Sequence, residues 1–183
     1  MGEESDEQLA LATQNGDTNA FGFLVEKYEE KIKRYIKKFI QGAEAEDITQ
    51  DIFLKAFKNI NSFKVELKFS PWLYRISHNE MVNFLKKKKT LPLFDFDVFL
   101  PHYHVSQKEM ENEADKKEEL EQFKKCLDRI EPKYKEVVVL YYFENLSYQE
   151  IATITHSPVS TVGVKIKRAK EKLKQICHKQ ITL

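Results

Sequence analysis

A chain of 183 residues with 42% hydrophobic and 12% aromatic content can build one or two small compact cores. Its 30 basic and 29 acidic side chains nearly cancel but are segregated: residues 1–30 hold eight acids and one lysine (net −7), residues 95–122 nine acids and three bases (net −6), residues 64–90 seven bases and two acids (net +5), and residues 158–183 seven bases and one acid (net +6). Two separate positive segments point to two contacts with a polyanion, while five glycines scattered at 2, 16, 22, 42 and 163 leave no phosphate-cradling loop and speak against nucleotide-dependent catalysis.

The first residues, MGEESDEQLA, lack the basic and apolar parts of a secretion signal. No apolar run approaches the about 18 residues of a membrane span, so a cytoplasmic protein with no membrane insertion is expected. Further on the helical period dominates. Phe21, Leu24, Val25, Tyr28, Ile32, Tyr35, Ile36 and Phe39 keep three-and-four spacing, which predicts a helix of about twenty residues with a buried aromatic stripe, opened after Asn15-Gly16 and ended by Gly42.

The next helix, from about Ala43 to Ile60, is expected to bury Ala45, Ile48, Ile52, Ala56 and Ile60. Its opposite face carries Asp47, Gln50, Asp51, Leu54 and Lys58. A partner helix could dock on the exposed leucine and pair its bases with the carboxylates; an ordinary solvated face would read the same way.

Residues 61–69 are expected as a loop carrying Ser62, Lys64, Lys68 and Phe69, because Ser70-Pro71 is a cap-then-proline signal for a helix reaching about Lys89. On that helix Arg75, Asn79, Val82, Asn83 and Lys86 share a face, followed by Lys87, Lys88 and Lys89. Cations that track phosphates beside amides and an aromatic suit an unpaired nucleic-acid strand. The lysine run alone would also suit a solvated helix end. Trp72, in the first turn, is read as core rather than as a base-stacking residue.

Residues 90–105, TLPLFDFDVFLPHYHV, are broken by Pro92 and Pro101 and form the expected domain boundary. Their Phe, Tyr and Leu content is unlike a flexible tether, so the segment should lie on a surface in at least one functional state. His102 and His104 lack further ligands at metal spacing, and no metal or other cofactor is expected. Helical spacing resumes from Ser106 through Met110, Ala114, Leu120, Phe123, Leu127 and Ile130, and Pro132 opens a helix through Val137, Leu140, Tyr141 and Phe143. Cys126 and Cys177 have neither metal nor redox spacing and read as ordinary thiols of a cytosolic protein. No strand alternation occurs. The expected architecture is all-α: two small helical domains, 1–90 and 118–183, joined by a linker over 91–117.

The most informative stretch is LSYQEIATITHSPVSTVGVKIKRAKEKLK, residues 146–174. Ser147 and Glu150 form a capping box that starts a short helix from about Tyr148 to Thr155. Ser157 then caps a second helix with Pro158 at its first position. Val159, Val162, Ile166, Ala169, Leu173 and Ile176 should form its buried stripe. Ser160, Thr161, Val164, Lys165 and Arg168 are left on the other face, where hydroxyls and long cations can reach bases and phosphates. A basic amphipathic helix alone would suit solvent; the capped helix and tight turn before it favour a helix-turn-helix.

Together these segments resemble bacterial RNA polymerase sigma factors of the extracytoplasmic-function type, in the sigma-70 family. AFGFLVEKYEEKIKRYI, AEDITQDIFLKAFKNINSF and FSPWLYRISHNEMVNFLKKKK look like successive pieces of the sigma-two domain, and LSYQEIATI with STVGVKIKRAKEKL looks like the sigma-four helix-turn-helix. The resemblance implies a non-enzymatic transcription initiation factor that binds core polymerase and promoter DNA, with an anti-sigma factor as a candidate partner. It implies that Asp47, Gln50, Asp51, Leu54 and Lys58 meet the polymerase clamp helices. Ser62, Lys64, Lys68, Phe69, Arg75, Asn79, Asn83 and Lys86 would hold the unpaired minus-ten strand, and Ser160, Thr161, Val164, Lys165 and Arg168 would read the minus-thirty-five duplex. The linker would thread into polymerase channels.

Three positions depart from the family pattern. His156 stands where the turn usually has Gly, a position that often needs positive φ. Gly163 replaces a usually polar or basic residue of the recognition helix, and Asn83 stands where an acid is common. The rival reading is a helix-turn-helix regulator that binds DNA without being a polymerase subunit, with residues 1–90 a sensory or dimerisation domain. A regulator has no need of a second basic face or of an exposed carboxylate-leucine stripe.

Overall fold

The computed structural model describes residues 4–88, 123 and 125–181. These residues belong to two compact units; every regular element among them is helical. The linker over 91–117, and the helical spacing expected from Ser106 to Leu120, lie outside the described residues.

The N-terminal unit begins with a helix absent from the sequence reading, α1, Asp6–Gln14. Its start is a reciprocal capping box: the Gln8 N–H donates to Ser5 Oγ and the Ser5 N–H to Gln8 Oε1, at 3.2 and 2.8 Å. Asp6 and Glu7 in its first turn complement the positive end of the helix dipole. After Gly16, at φ 101°, Asp17 caps α2, Thr18–Lys37. Its buried face is the expected stripe of Phe21, Leu24, Tyr28, Ile32, Tyr35 and Ile36.

Gly42 does not end α2, which stops at Lys37; at φ 75° it caps α3, Ala43–Lys58. A 3-10 turn, Ile60–Ser62, follows. Helix α4 spans Phe69–Lys87, two residues earlier than the proline signal implied, with Lys68 at its cap and Pro71 inside its first turn. Ser70 is therefore not the cap. Phe63, Phe69 and Trp72 pack as a buried trio with ring centroids 5.4–5.6 Å apart, and Tyr28 meets Phe69 edge-on at 5.7 Å. Trp72 is core, as the sequence favoured.

In the C-terminal unit a helical turn over 125–127 leads to α5, Pro132–Val138. A π-turn, Val139–Phe143, extends it, closed by the Glu144 N–H on the Val139 carbonyl at 3.2 Å. Helices α6, Tyr148–Ile154, and α7, Val159–Ile181, complete the unit. Leu127, Val137, Leu140, Ile151, Val162, Ile166 and Ala169 fill its core. Cys126 and Cys177 are joined as a disulfide, their α carbons 5.9 Å apart. That corrects the expectation of two ordinary thiols, which rested on their distance in sequence.

Candidate nucleic-acid interfaces

Helix α3 turns Ile48, Ile52, Phe53 and Ala56 inward, and the same period leaves Asp47, Gln50, Asp51, Leu54 and Lys58 exposed together on its outer side. Leu54 is 57% exposed, and Phe57, three residues on, is 41% exposed. Phe57 escaped the sequence reading although the i to i+3 spacing from Leu54 places both on one side. The result is a small apolar ridge that follows the carboxylates Asp47 and Asp51 along the helix.

The segment between α3 and α4 is a braced loop rather than an open one. The Gln14 amide donates to both the Ile60 and Phe63 carbonyls at 2.8 Å. The Leu67 N–H closes a turn on the Lys64 carbonyl at 2.9 Å. The Phe69 N–H donates to Glu7 Oε1 at 3.0 Å, supplying the helix cap that Lys68 does not. Lys64 and Lys68 are exposed, and so is Ser62, whose hydroxyl donates to the Asn59 carbonyl at 2.7 Å.

Phe69 is a correction. It was expected on the loop surface, where an aromatic could take a base, but it is 1% exposed because Tyr28, Phe63 and Trp72 surround it. The apolar group the loop does offer is Leu67, 60% exposed and unnoticed in the sequence. Along α4, Asn79, Asn83 and Lys86 are exposed, with Arg75 and Val82 partly so. Within the lysine run Lys88 pairs with Glu44, and on the α3 side Lys55 pairs with Glu80.

The capping box expected for α6 is present: the Glu150 N–H donates to Ser147 Oγ at 3.3 Å and the Ser147 N–H to Glu150 Oε2 at 2.7 Å. His156 adopts φ 50° in the turn, the left-handed conformation its position called for. Helix α7 begins one residue later than expected, since the Val162 N–H donates to the Pro158 carbonyl at 3.1 Å and puts Pro158 at the cap. Val159 was assigned to the buried stripe, but it is 42% exposed in the first turn, ahead of the unit's core.

Ser160 and Arg168 are exposed, whereas Thr161, Val164 and Lys165 are partly buried. The Lys165 ammonium donates to Ser157 Oγ at 3.3 Å. Burial lowers its pKa, with Lys133 acting in the same direction and Glu136 opposing. Lys165 thus braces the turn as well as lining the face. Exposed Lys167, next to Arg168, extends the basic surface beyond the residues singled out from spacing.

Residues 24–90 match the family model "Sigma-70 region 2" and residues 120–173 match "Sigma-70, region 4". The chain is 33% identical over 177 residues to the RNA polymerase sigma-H factor of Pseudomonas aeruginosa, covering 92% of each. It is also 33% identical over 177 residues to the ECF RNA polymerase sigma factor SigW of Bacillus subtilis, covering 87% of this chain and 90% of the relative. Among solved structures, CnrH in complex with the cytosolic domain of CnrY shares the fold at TM-score 0.70 and 24% identity, covering 94% of this chain and 97% of CnrH.

Proposed function

The chain belongs to the sigma-70 family, as a sigma factor of the extracytoplasmic-function type, and from that premise we propose how its surfaces divide the work. It binds core RNA polymerase and directs promoter recognition and transcription initiation. We assign residues 1–90 to polymerase and minus-ten binding, 118–183 to minus-thirty-five binding, and 91–117 to a linker through polymerase, in a cytoplasmic protein that acts by binding rather than catalysis. The match of residues 24–90 to sigma-70 region 2 supports this reading over that of residues 1–90 as the sensory or dimerisation domain of a regulator.

The polymerase clamp helices dock on Leu54 and Phe57, with Asp47, Gln50 and Asp51 receiving their bases and Lys58 at the rim. Lys64, Lys68, Arg75 and Lys86 track the minus-ten backbone while Ser62, Asn79 and Asn83 reach base edges; Phe69 supports the loop from beneath. Ser160, Thr161, Val164 and Arg168 face the minus-thirty-five major groove, with Lys165 holding the turn beside them. An anti-sigma factor, the usual partner of the family, completes the set.

The observation that carries this reading is the pairing of two basic faces in one chain, net +5 over 64–90 and net +6 over 158–183, with acidic segments elsewhere. A labelled promoter titrated with the chain alone should show weak binding, near the non-specific range of about 10⁻⁴ to 10⁻⁶ M at physiological salt. Adding core polymerase should bring selective binding and reactivity of unpaired bases at the minus-ten element. Tight, sequence-specific binding by the chain alone, without strand opening when core is added, would overturn it.

A further inference from the structure

Helix α1 precedes the segment that matches region 2, which begins at residue 24. Yet α1 makes the bonds that hold both ends of the loop between α3 and α4. At the near end the Gln14 amide uses two N–H donors on two carbonyls, Ile60 and Phe63, which bracket the 3-10 turn. At the far end Glu7 accepts the Phe69 N–H at 3.0 Å, where the α4 cap residue offers no side-chain bond. Between these anchors lie Lys64, Leu67 and Lys68, all exposed.

Helix α1 is itself fixed to α2: Asp6 accepts the Tyr28 hydroxyl and the Lys27 ammonium, each at 2.6 Å. The loop is therefore held at both ends by one helix that is itself anchored to α2, and its backbone carbonyls and amide are pinned by partly buried side chains. A free loop of this length would sample many shapes and lose conformational entropy on binding; a pinned one has lost it already.

We propose that Glu7 and Gln14 are positioning residues for promoter recognition, holding the 63–68 loop in one shape so that Lys64, Leu67 and Lys68 meet the unpaired minus-ten strand together. This rests on the assignment of that loop to the minus-ten strand. Neither residue touches DNA. Their effect is on discrimination between strands, because a loosened loop keeps its charge but loses its geometry.

The test uses the full chain assembled with core polymerase. The probe is a fluorescent single strand carrying the minus-ten sequence of a promoter that wild-type holoenzyme selects from a random library, with a scrambled strand of the same composition as reference. Gln14→Glu keeps the shape but points carboxylate oxygens at two carbonyls. It should lower the ratio of specific to scrambled affinity on the order of tenfold, the scale of one or two lost bonds, with core affinity within about twofold. Gln14→Lys, which restores a donor, should recover most of that ratio. Glu7→Ala should lower it, and Glu7→Gln, which keeps an acceptor, should not.

A loss of fold would show in circular dichroism and core affinity, and the Glu7 pair then decides the matter independently of Gln14. The double variant Lys64→Ala and Lys68→Ala separates the two ideas. If it weakens strand binding while the Gln14 and Glu7 variants leave discrimination intact, the positioning role is wrong and the loop assignment stands. If the lysine variant also leaves strand binding unchanged, the loop assignment falls and takes this inference with it.

Discussion

Gly163 lies against the ring of Tyr148: a methyl group on its α carbon would meet Tyr148 Cε2 at 3.6 Å, an ordinary van der Waals contact. The two residues belong to the two helices of the helix-turn-helix, so the missing side chain on α7 is where the ring of α6 packs. The ring of Tyr148 thus lies at contact distance from where a side chain on Gly163 would begin, and the glycine also removes a polar group from the DNA-facing helix.

Gly163→Ala should therefore be accommodated and should stabilise the C-terminal unit by up to about 1 kcal/mol, since alanine relieves the entropic cost of a mid-helix glycine. Gly163→Leu should instead displace Tyr148 and destabilise by about 1–3 kcal/mol. Denaturant midpoints of the two variants check both signs. An alanine variant less stable than wild type would mean the site has no room.

Asp51 sits on the exposed face of α3, one turn before the Leu54 ridge. Asp51→Arg should weaken core-polymerase binding by reversing a charge the clamp helices would pair with, while stability shifts by no more than about 0.5 kcal/mol. Unchanged polymerase affinity beside a normal melting curve would remove this face from the interface.

Tyr28 donates its hydroxyl to Asp6 at 2.6 Å. Burial first, and then that bond, push its pKa above the ordinary value of 10.0. Because the folded protein holds the proton more tightly than the unfolded chain, the linked stability is fully present below pH about 10 and is lost as pH rises beyond it. The wild-type midpoint should fall above that pH more steeply than that of Tyr28→Phe, which should itself cost about 1–2 kcal/mol at neutral pH. Parallel curves for the two proteins would show that Tyr28 is not the group responsible.

The Cys126–Cys177 bond spans 51 residues and ties the segment before α5 to the last turns of α7. In the chain-entropy picture a loop of that length is worth about 4 kcal/mol. Reduction, or Cys177→Ser, should lower the denaturant midpoint of the C-terminal unit and leave the N-terminal unit unaffected. Identical midpoints with and without reductant would mean the bond does not form in solution. The oxidised and reduced proteins should be compared for duplex binding as well.

Much of the molecule was legible in the residues alone because its signals are local. The stripe from Phe21 to Ile36, the inward and outward faces of α3, and the Ser147–Glu150 box depend on residues three or four apart, and the structure reproduces them. Charge segregation is likewise a property of the chain order. Helix α1 is legible too, since Ser5 and Gln8 carry the capping-box spacing within the acidic N-terminus. The tertiary structure decided contacts between residues far apart in sequence. Gln14 meets Ile60 across 46 residues, Glu7 meets Phe69 across 62, and Cys126 meets Cys177 across 51. No periodicity encodes such meetings; they follow from which helix faces pack together. The same packing buried Phe69 among three aromatic rings and turned Lys165 back onto Ser157, because a side chain's exposure is set by its neighbours in space and not by its place on a helical wheel.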